Sequence, residues 1–237
     1  MAITQHDCIT CKIRECSILN ECDKDTLKAI SKFKLTKSLA KGKRLFTEGD
    51  PVEGVCFIKK GFLKVELNGK EDRPLILKIA AKGNVLGYRI NAKHAVHTCS
   101  ATAVTDVQYC YVPYALFDKI SNKSTVLRNQ VINLFIDELE LIKKKALTLA
   151  HKTVREKVAE AILLLAETFS CENEEPAFQI SFCRQDIADL VGTTKEQVSK
   201  IIKDFEKEGL IKCTAKKFSY LDLVSLNKIA FFKYPSV

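Results

Sequence analysis

The chain has no uncharged apolar run near the roughly 20 residues that a membrane-spanning helix requires. Its longest, AILLLA after Glu160, has six. It has no charged-then-apolar leader either, since its start, MAITQHDC, is polar. These two absences lead to the expectation of a soluble, cytoplasmic protein with no membrane partner. Acidic residues are in deficit: 29 Asp plus Glu stand against 38 Lys plus Arg, for a net charge of +9 at pH 7. A surplus of that sign suits a polyanionic partner, because each neutralised phosphate releases counterions. No nucleophile, base and orienting group occur in an enzyme-like pattern, and no glycine loop is arranged to cradle phosphates, so an enzyme is not expected.

Cysteine, by contrast, is plentiful, with ten in 237 residues. A chain of this length buries its own core without staples, and with no leader the thiols are expected to be free in a reducing compartment. Four of them crowd the segment CITCKIRECSILNEC, from Cys8 to Cys22. That segment is too polar to read as core, and close thiols on such an arm suit a soft metal, a redox switch or nothing at all.

Seven of the nine glycines fall between Gly42 and Gly87, among short runs rich in Val, Ile, Leu and Phe. Such punctuation predicts an all-β sandwich or barrel, closed by Pro113. From Ser124 the period becomes helical, with Leu127, Val131, Leu134, Phe135, Leu139 and Ile142 forming a stripe broader than one core requires. This predicts a long helix shared between the β-domain and a second copy of the chain. Lys143 to Lys145 read as a solvated face. A further helix over 153–169 is followed by RQDIADLVGTTKEQVSKIIKDFEKEGL. Here two amphipathic segments meet at Gly192 and end at Gly209, the pattern of a helix-turn-helix, and LIKCTAKKFSYLDL reads as a wing with Lys216 and Lys217 at its tip.

This order of β-roll, long helix and winged helix resembles the Crp/Fnr family of bacterial transcription regulators. LAKGKRLFTEGDPVEGVCFIKKGFLKVEL is similar to the family's first roll hairpins, GNVLGYR to its ligand-side turn, and the segment around Gly192 to its recognition unit. The resemblance implies an α+β fold: a double-stranded β-helix of jelly-roll type, a dimerisation helix and a winged helix-turn-helix. The expected parts are a cysteine-rich arm over 1–22, a β-roll sensor over 23–121, a dimerisation helix over 122–150 and a DNA-binding domain over 151–237. It also implies a homodimer that binds an inverted repeat in double-stranded DNA and contacts RNA polymerase.

Thr193 or Thr194 is placed to cap the recognition helix, and Glu196 has capping-box spacing from Thr193. In the family, a Glu, Ser, Arg pattern reads TTGA-type half-sites; here it appears as Glu196, Ser199 and Lys200, with Lys in place of the forked Arg. Gln185, Thr194 and Lys195 are expected to touch phosphates. In the roll, the cyclic-AMP-binding members' Glu and Arg correspond to Tyr88 and His97, followed by Thr98. Cyclic AMP is therefore not expected, and Arg89, one residue off, is what remains for a nucleotide-like ligand. His94 and His97 offer no pair of haem ligands. The oxygen-sensing branch of the family ligates a [4Fe-4S] cluster through three arm cysteines and one from the roll. CSILNEC resembles its last two arm ligands, and Cys110 in QYCYVP its roll ligand, with Cys8 or Cys11 as the remaining one. Four residues separate Cys11 from Cys16 where the family has two, so a zinc site or a dithiol switch stays open, and Cys8, Cys11, Cys16, Cys22 and Cys110 are the candidate ligands. Cys56, Cys99, Cys171, Cys183 and Cys213 read as small core residues. A nucleotide-gated signalling module is the alternative from another class, which the helix-turn-helix pattern disfavours.

Overall fold

The structure, a computed structural model, describes residues 7–69, 73–88, 96–170, 178–179, 182–214 and 217–230. Arg89, His94, Cys171 and Lys216 lie outside them. Two compact units result: Met1–Asn68 with Lys78–Leu141, and Gly69–Leu77 with Ile142–Val237.

The first unit opens with a 3-10 turn, Lys12–Cys16, and helix α1, Lys24–Phe33. Asp23 caps α1 by accepting from the Thr26 N–H at 2.7 Å. Eight strands follow: β1 Leu35–Leu39, β2 Arg44–Phe46, β3 Gly54–Lys60, β4 Leu63–Leu67, β5 Leu75–Ala80, β6 Val85–Leu86, β7 Ser100–Ala103 and β8 Val107–Pro113. They form two four-stranded sheets, ordered β1-β8-β3-β6 and β2-β7-β4-β5, the jelly-roll arrangement. Ile58, Leu63, Val65, Ala101 and Val107 are among the residues that fill one core cluster of the roll. In the register, Cys110 on β8 stands between Thr36 of β1 and Phe57 of β3.

The arm departs from its expected polarity. Cys8, Ile18, Leu19 and Cys22 are buried in one cluster with Leu27 and Ile30 of α1, Phe57 and Cys110 of the roll, and Phe117. Ile18 and Leu19 are the arm's apolar anchor, and sites for them are built by residues distant in sequence. Gly83 is what lets the arm lie so close: its φ is +89°, and a Cβ there would meet the Cys16 carbonyl oxygen at 2.3 Å.

Helix α2, Tyr114–Lys123, leads into α3, Thr125–His151. The Ser124 hydroxyl accepts from the Leu127 N–H at 3.3 Å and caps α3. Leu127 and Val131 are buried, whereas Ile132, Phe135, Ile136 and Leu139 lie exposed at helical spacing.

In the second unit α4, Val154–Ser170, starts at a capping box. Thr153 N–H donates to Glu156 at 2.7 Å, and Glu156 N–H to the Thr153 hydroxyl at 3.3 Å. Then come β9 Phe178–Gln179, α5 Arg184–Val191, α6 Lys195–Lys207, β10 Ile211–Thr214, β11 Lys217–Tyr220 and α7 Leu223–Ala230. The strands form one sheet, β10-β11-β9, the predicted wing. Ile162, Leu165, Ile187, Val198, Ile202, Phe205 and Leu226 make the core. Each stabilises the unit by about 1.5–3 kcal/mol relative to exposure. Among the described residues no helix is long and apolar enough to cross a membrane.

Candidate functional site

Helix α5 ends at Gly192, whose φ of +67° turns the chain into α6. The cap of α6 is Thr194, which accepts from the Gln197 N–H at 3.3 Å, while the Thr193 hydroxyl pairs with the Gln197 side chain. Glu196 is therefore not the partner in a Thr193 capping box; it stands one residue too early. Its carboxyl is held below the usual range, first by its own backbone N–H and then by the Thr194 hydroxyl. Thr194, Lys195, Glu196 and Lys200 are exposed. Ser199, half-buried, donates back to the Lys195 carbonyl at 2.8 Å. Gln185 on α5 is exposed too, its amide donating to Asp189 at 2.7 Å. Sequence reasoning overlooked Lys203 and Lys207, both exposed and three and seven residues beyond Lys200, which continue a basic face along α6.

Lys145 corrects another expectation. It does not belong to a solvated face: its Nζ donates to the Leu190 carbonyl at the end of α5, and burial pulls its pKa down to about 8.

In the roll, Tyr88, His97 and Thr98 line one cavity of only about 30 Å³ together with Lys78 and Glu138. Tyr88 is buried and donates to Glu138 of α3 at 2.9 Å, and Lys78 reaches the same carboxylate at 3.2 Å. His97 stacks on Phe46 with ring centroids 3.7 Å apart. In this cavity the Glu138 carboxylate is thus shared by the Tyr88 hydroxyl and the Lys78 ammonium.

Cys8, Cys11 and Cys110 line a second cavity, of about 40 Å³, with Arg14, Lys34 and Lys59. Lys34 Nζ donates to Cys8 Sγ at 3.2 Å. Burial raises the Cys110 thiol, with Lys34 and Lys59 pulling the other way. Burial pushes Cys22 up to about 11, and its Sγ donates to the Ile18 carbonyl at 3.8 Å. Cys16 is exposed and donates to the Ile13 carbonyl at 3.2 Å. Among the described residues no three His, Cys, Asp or Glu side chains converge closely enough to hold a metal as they stand. Of the scattered thiols, Cys56 is a core residue, as expected, but Cys183 is exposed at the start of α5, where its N–H and S–H both donate to Asp186 at 3.0 Å.

Comparison with known proteins matches residues 36–124 to the cyclic nucleotide-binding domain and residues 156–229 to the Crp-like helix-turn-helix domain. Electron transport regulator A of Shewanella oneidensis is 29 % identical over 97 % of this chain and 91 % of that protein. The fumarate and nitrate reduction regulatory protein of Vibrio cholerae is 27 % identical over 94 % and 90 %. Among solved structures, FixK2 from Bradyrhizobium japonicum superposes with a TM-score of 0.75 at 20 % identity, over 85 % of this chain and 99 % of that one. With a cyclic-nucleotide-binding-type roll and a Crp-like recognition unit in one chain, this protein belongs to the Crp/Fnr family of DNA-binding transcription regulators, which are not enzymes.

Proposed function

We propose that the protein is a cytoplasmic, homodimeric regulator whose hold on DNA responds to oxygen or nitric oxide through a [4Fe-4S] group ligated by arm cysteines and Cys110. The observation that carries this reading is the second cavity, where two arm thiols and the roll thiol stand beside three cations. The donor set fits. Thiolate sulfur is the ligand such a group requires, and Arg14 Nε, buried with no hydrogen-bond partner among the described residues, lacks the acceptor that a thiolate supplies. Cys110, Cys22 and two of Cys8, Cys11 and Cys16 would hold it, after side-chain rotations that bring their sulfurs together. When bound, such a group supplies an oxygen-labile tie between arm and roll.

The chain's own contacts carry the consequence. The arm shares a cluster with Leu127 and Val131 of α3, and Gln130 of α3 donates to Glu21 of the arm at 2.7 Å. An arm released from Cys110 loosens this grip on the first turns of α3, whose exposed apolar stripe supports pairing with a second copy. With the arm tied to the roll and the dimer formed, two α6 helices enter successive major grooves of an inverted repeat, with Glu196, Ser199 and Lys200 at base edges of a TTGA-type half-site, Gln185, Thr194 and Lys195 on phosphates, and RNA polymerase as the further partner.

Protein purified without oxygen is expected to be brown, to bleach in air, and to stay colourless as Cys110→Ala or Cys22→Ala. A colourless wild type with stoichiometric zinc overturns the cluster. The small cavity, about 40 Å³, favours zinc or a dithiol switch as the second reading.

A further inference from the structure

A third cavity lies inside the roll, bounded by β1, β3 and β8 on one side and by β2 on the other. Its volume, about 280 Å³, is far above the roughly 10–15 Å³ that one water needs and approaches the lower end, about 300 Å³, of ligand pockets. Phe46 and His97, stacked with ring centroids 3.7 Å apart, line both this cavity and the one at Tyr88, and so stand between the two. The walls are aromatic and fixed. Tyr111 donates from its hydroxyl to the Glu53 carbonyl at 2.9 Å, and its ring lies so near Gly54 that a Cβ there would meet it at 2.4 Å. Tyr109, 8 % exposed, shares this face of β8 two residues away. Among the described residues its hydroxyl makes no hydrogen bond, and burial raises its pKa, so it stays a neutral phenol with a proton to donate.

The charged groups at this cavity come from two places and carry opposite signs. Lys37 of β1 holds its ammonium 4.0 Å from the Tyr111 ring centroid, and Asp50 and Glu53 come from the loop between β2 and β3. Asp50 already accepts from the Thr47 N–H at 3.0 Å. A ligand that is only an anion meets two carboxylates here, and one that is only a cation meets Lys37. A molecule with one carboxylate and one ammonium finds a counter-charge for each, and a planar ring finds partners in Tyr109, Tyr111 and the Phe46–His97 pair. We propose that the cavity binds a small aromatic zwitterion of the α-amino acid class, its ring among these side chains, its carboxylate at Lys37 and its ammonium at Asp50 and Glu53. A ligand so placed touches the Phe46–His97 stack, which also borders the cavity where Tyr88 bonds Glu138 of α3. The site is independent of the thiol reading. The alternative is a cavity that holds water alone.

The chain contains no tryptophan, so the fluorescence of added L-tryptophan, excited beyond the tyrosine band, reports on the ligand alone. Titrated with full-length wild type, it is expected to show a saturable rise in anisotropy with a Kd of roughly 0.01–1 mM. Tryptamine, which lacks the carboxylate, and indole-3-propionate, which lacks the ammonium, are expected to bind roughly three- to tenfold more weakly. Lys37, Asp50 and Glu53 are exposed, so their amide variants preserve the fold. Lys37→Gln is expected to weaken tryptophan and indole-3-propionate but not tryptamine. The double variant Asp50→Asn, Glu53→Gln is expected to weaken tryptophan and tryptamine but not indole-3-propionate. Calorimetric binding of tyrosine or phenylalanine without tryptophan supports the site with a smaller ring. No saturable response to any of the three amino acids overturns it, as does equal affinity for the three indoles that the variants leave unchanged.

Discussion

Glu196, second residue of α6, is held ionised by its own N–H and the Thr194 hydroxyl at the end of a helix that exposes Lys195 and Lys200 beside it. A carboxylate in that place accepts from a cytosine amino group, whereas a lysine on a phosphate carries no sequence information. Glu196→Ala is expected to weaken binding to TTGA-bearing palindromes roughly ten- to a hundredfold and to leave scrambled DNA almost unaffected. Lys195→Ala is expected to weaken both alike and to lower the salt slope by about one per half-site. Anisotropy titrations on the two duplexes at two salt concentrations separate these outcomes. Which threonine caps α6 was not legible in the sequence. Thr193 and Thr194 both carry hydroxyls, with Glu196 and Gln197 each three residues on, and only the backbone path out of Gly192 selects Thr194.

At the scale of elements, the recognition unit was legible because its pattern is local: Ile187, Leu190 and Val191 before Gly192, then Val198, Ile202 and Phe205 after it. The arm was not, since Ile18, Leu19 and Cys22 find their partners in α1, β3 and β8, and only the fold brings those together. The stripe on α3 was legible as apolar excess, and its exposure supports a second copy of the chain as its cover. Leu139 is 55 % exposed. Burying that exposed half in both copies would contribute about 1.5–3 kcal/mol. Leu139→Glu is therefore expected to weaken self-association by at least roughly tenfold, read by sedimentation. Lys145 was hidden within a run of three lysines. Burial lowers its pKa from 10.5 to about 8, against Glu160 and with Lys157. Between those values the unfolded chain binds more protons than the folded one, so stability rises with pH across that window, and the full cost of burying the ammonium is present below about 8. Lys145→Met is expected to flatten the rise, measured as urea midpoints near pH 7.5 and 9.5.

For the molecule as a whole, the net charge of +9 suits any polyanion, and specificity and control have to come from α6 and the arm. The thiol cavity was only partly legible: Cys110 stood out in QYCYVP, while the cationic neighbours Arg14, Lys34 and Lys59 converge from the arm, α1's end and β3. The most direct measurement is the affinity of full-length protein for a TTGA palindrome, taken without oxygen and again after exposure to air, for wild type and Cys110→Ala. Tight anaerobic binding by wild type that weakens in air, with Cys110→Ala weak in both, is the predicted result. Equal affinity of wild type in the two conditions, matched by Cys110→Ala, would contradict control of DNA binding by the arm thiols.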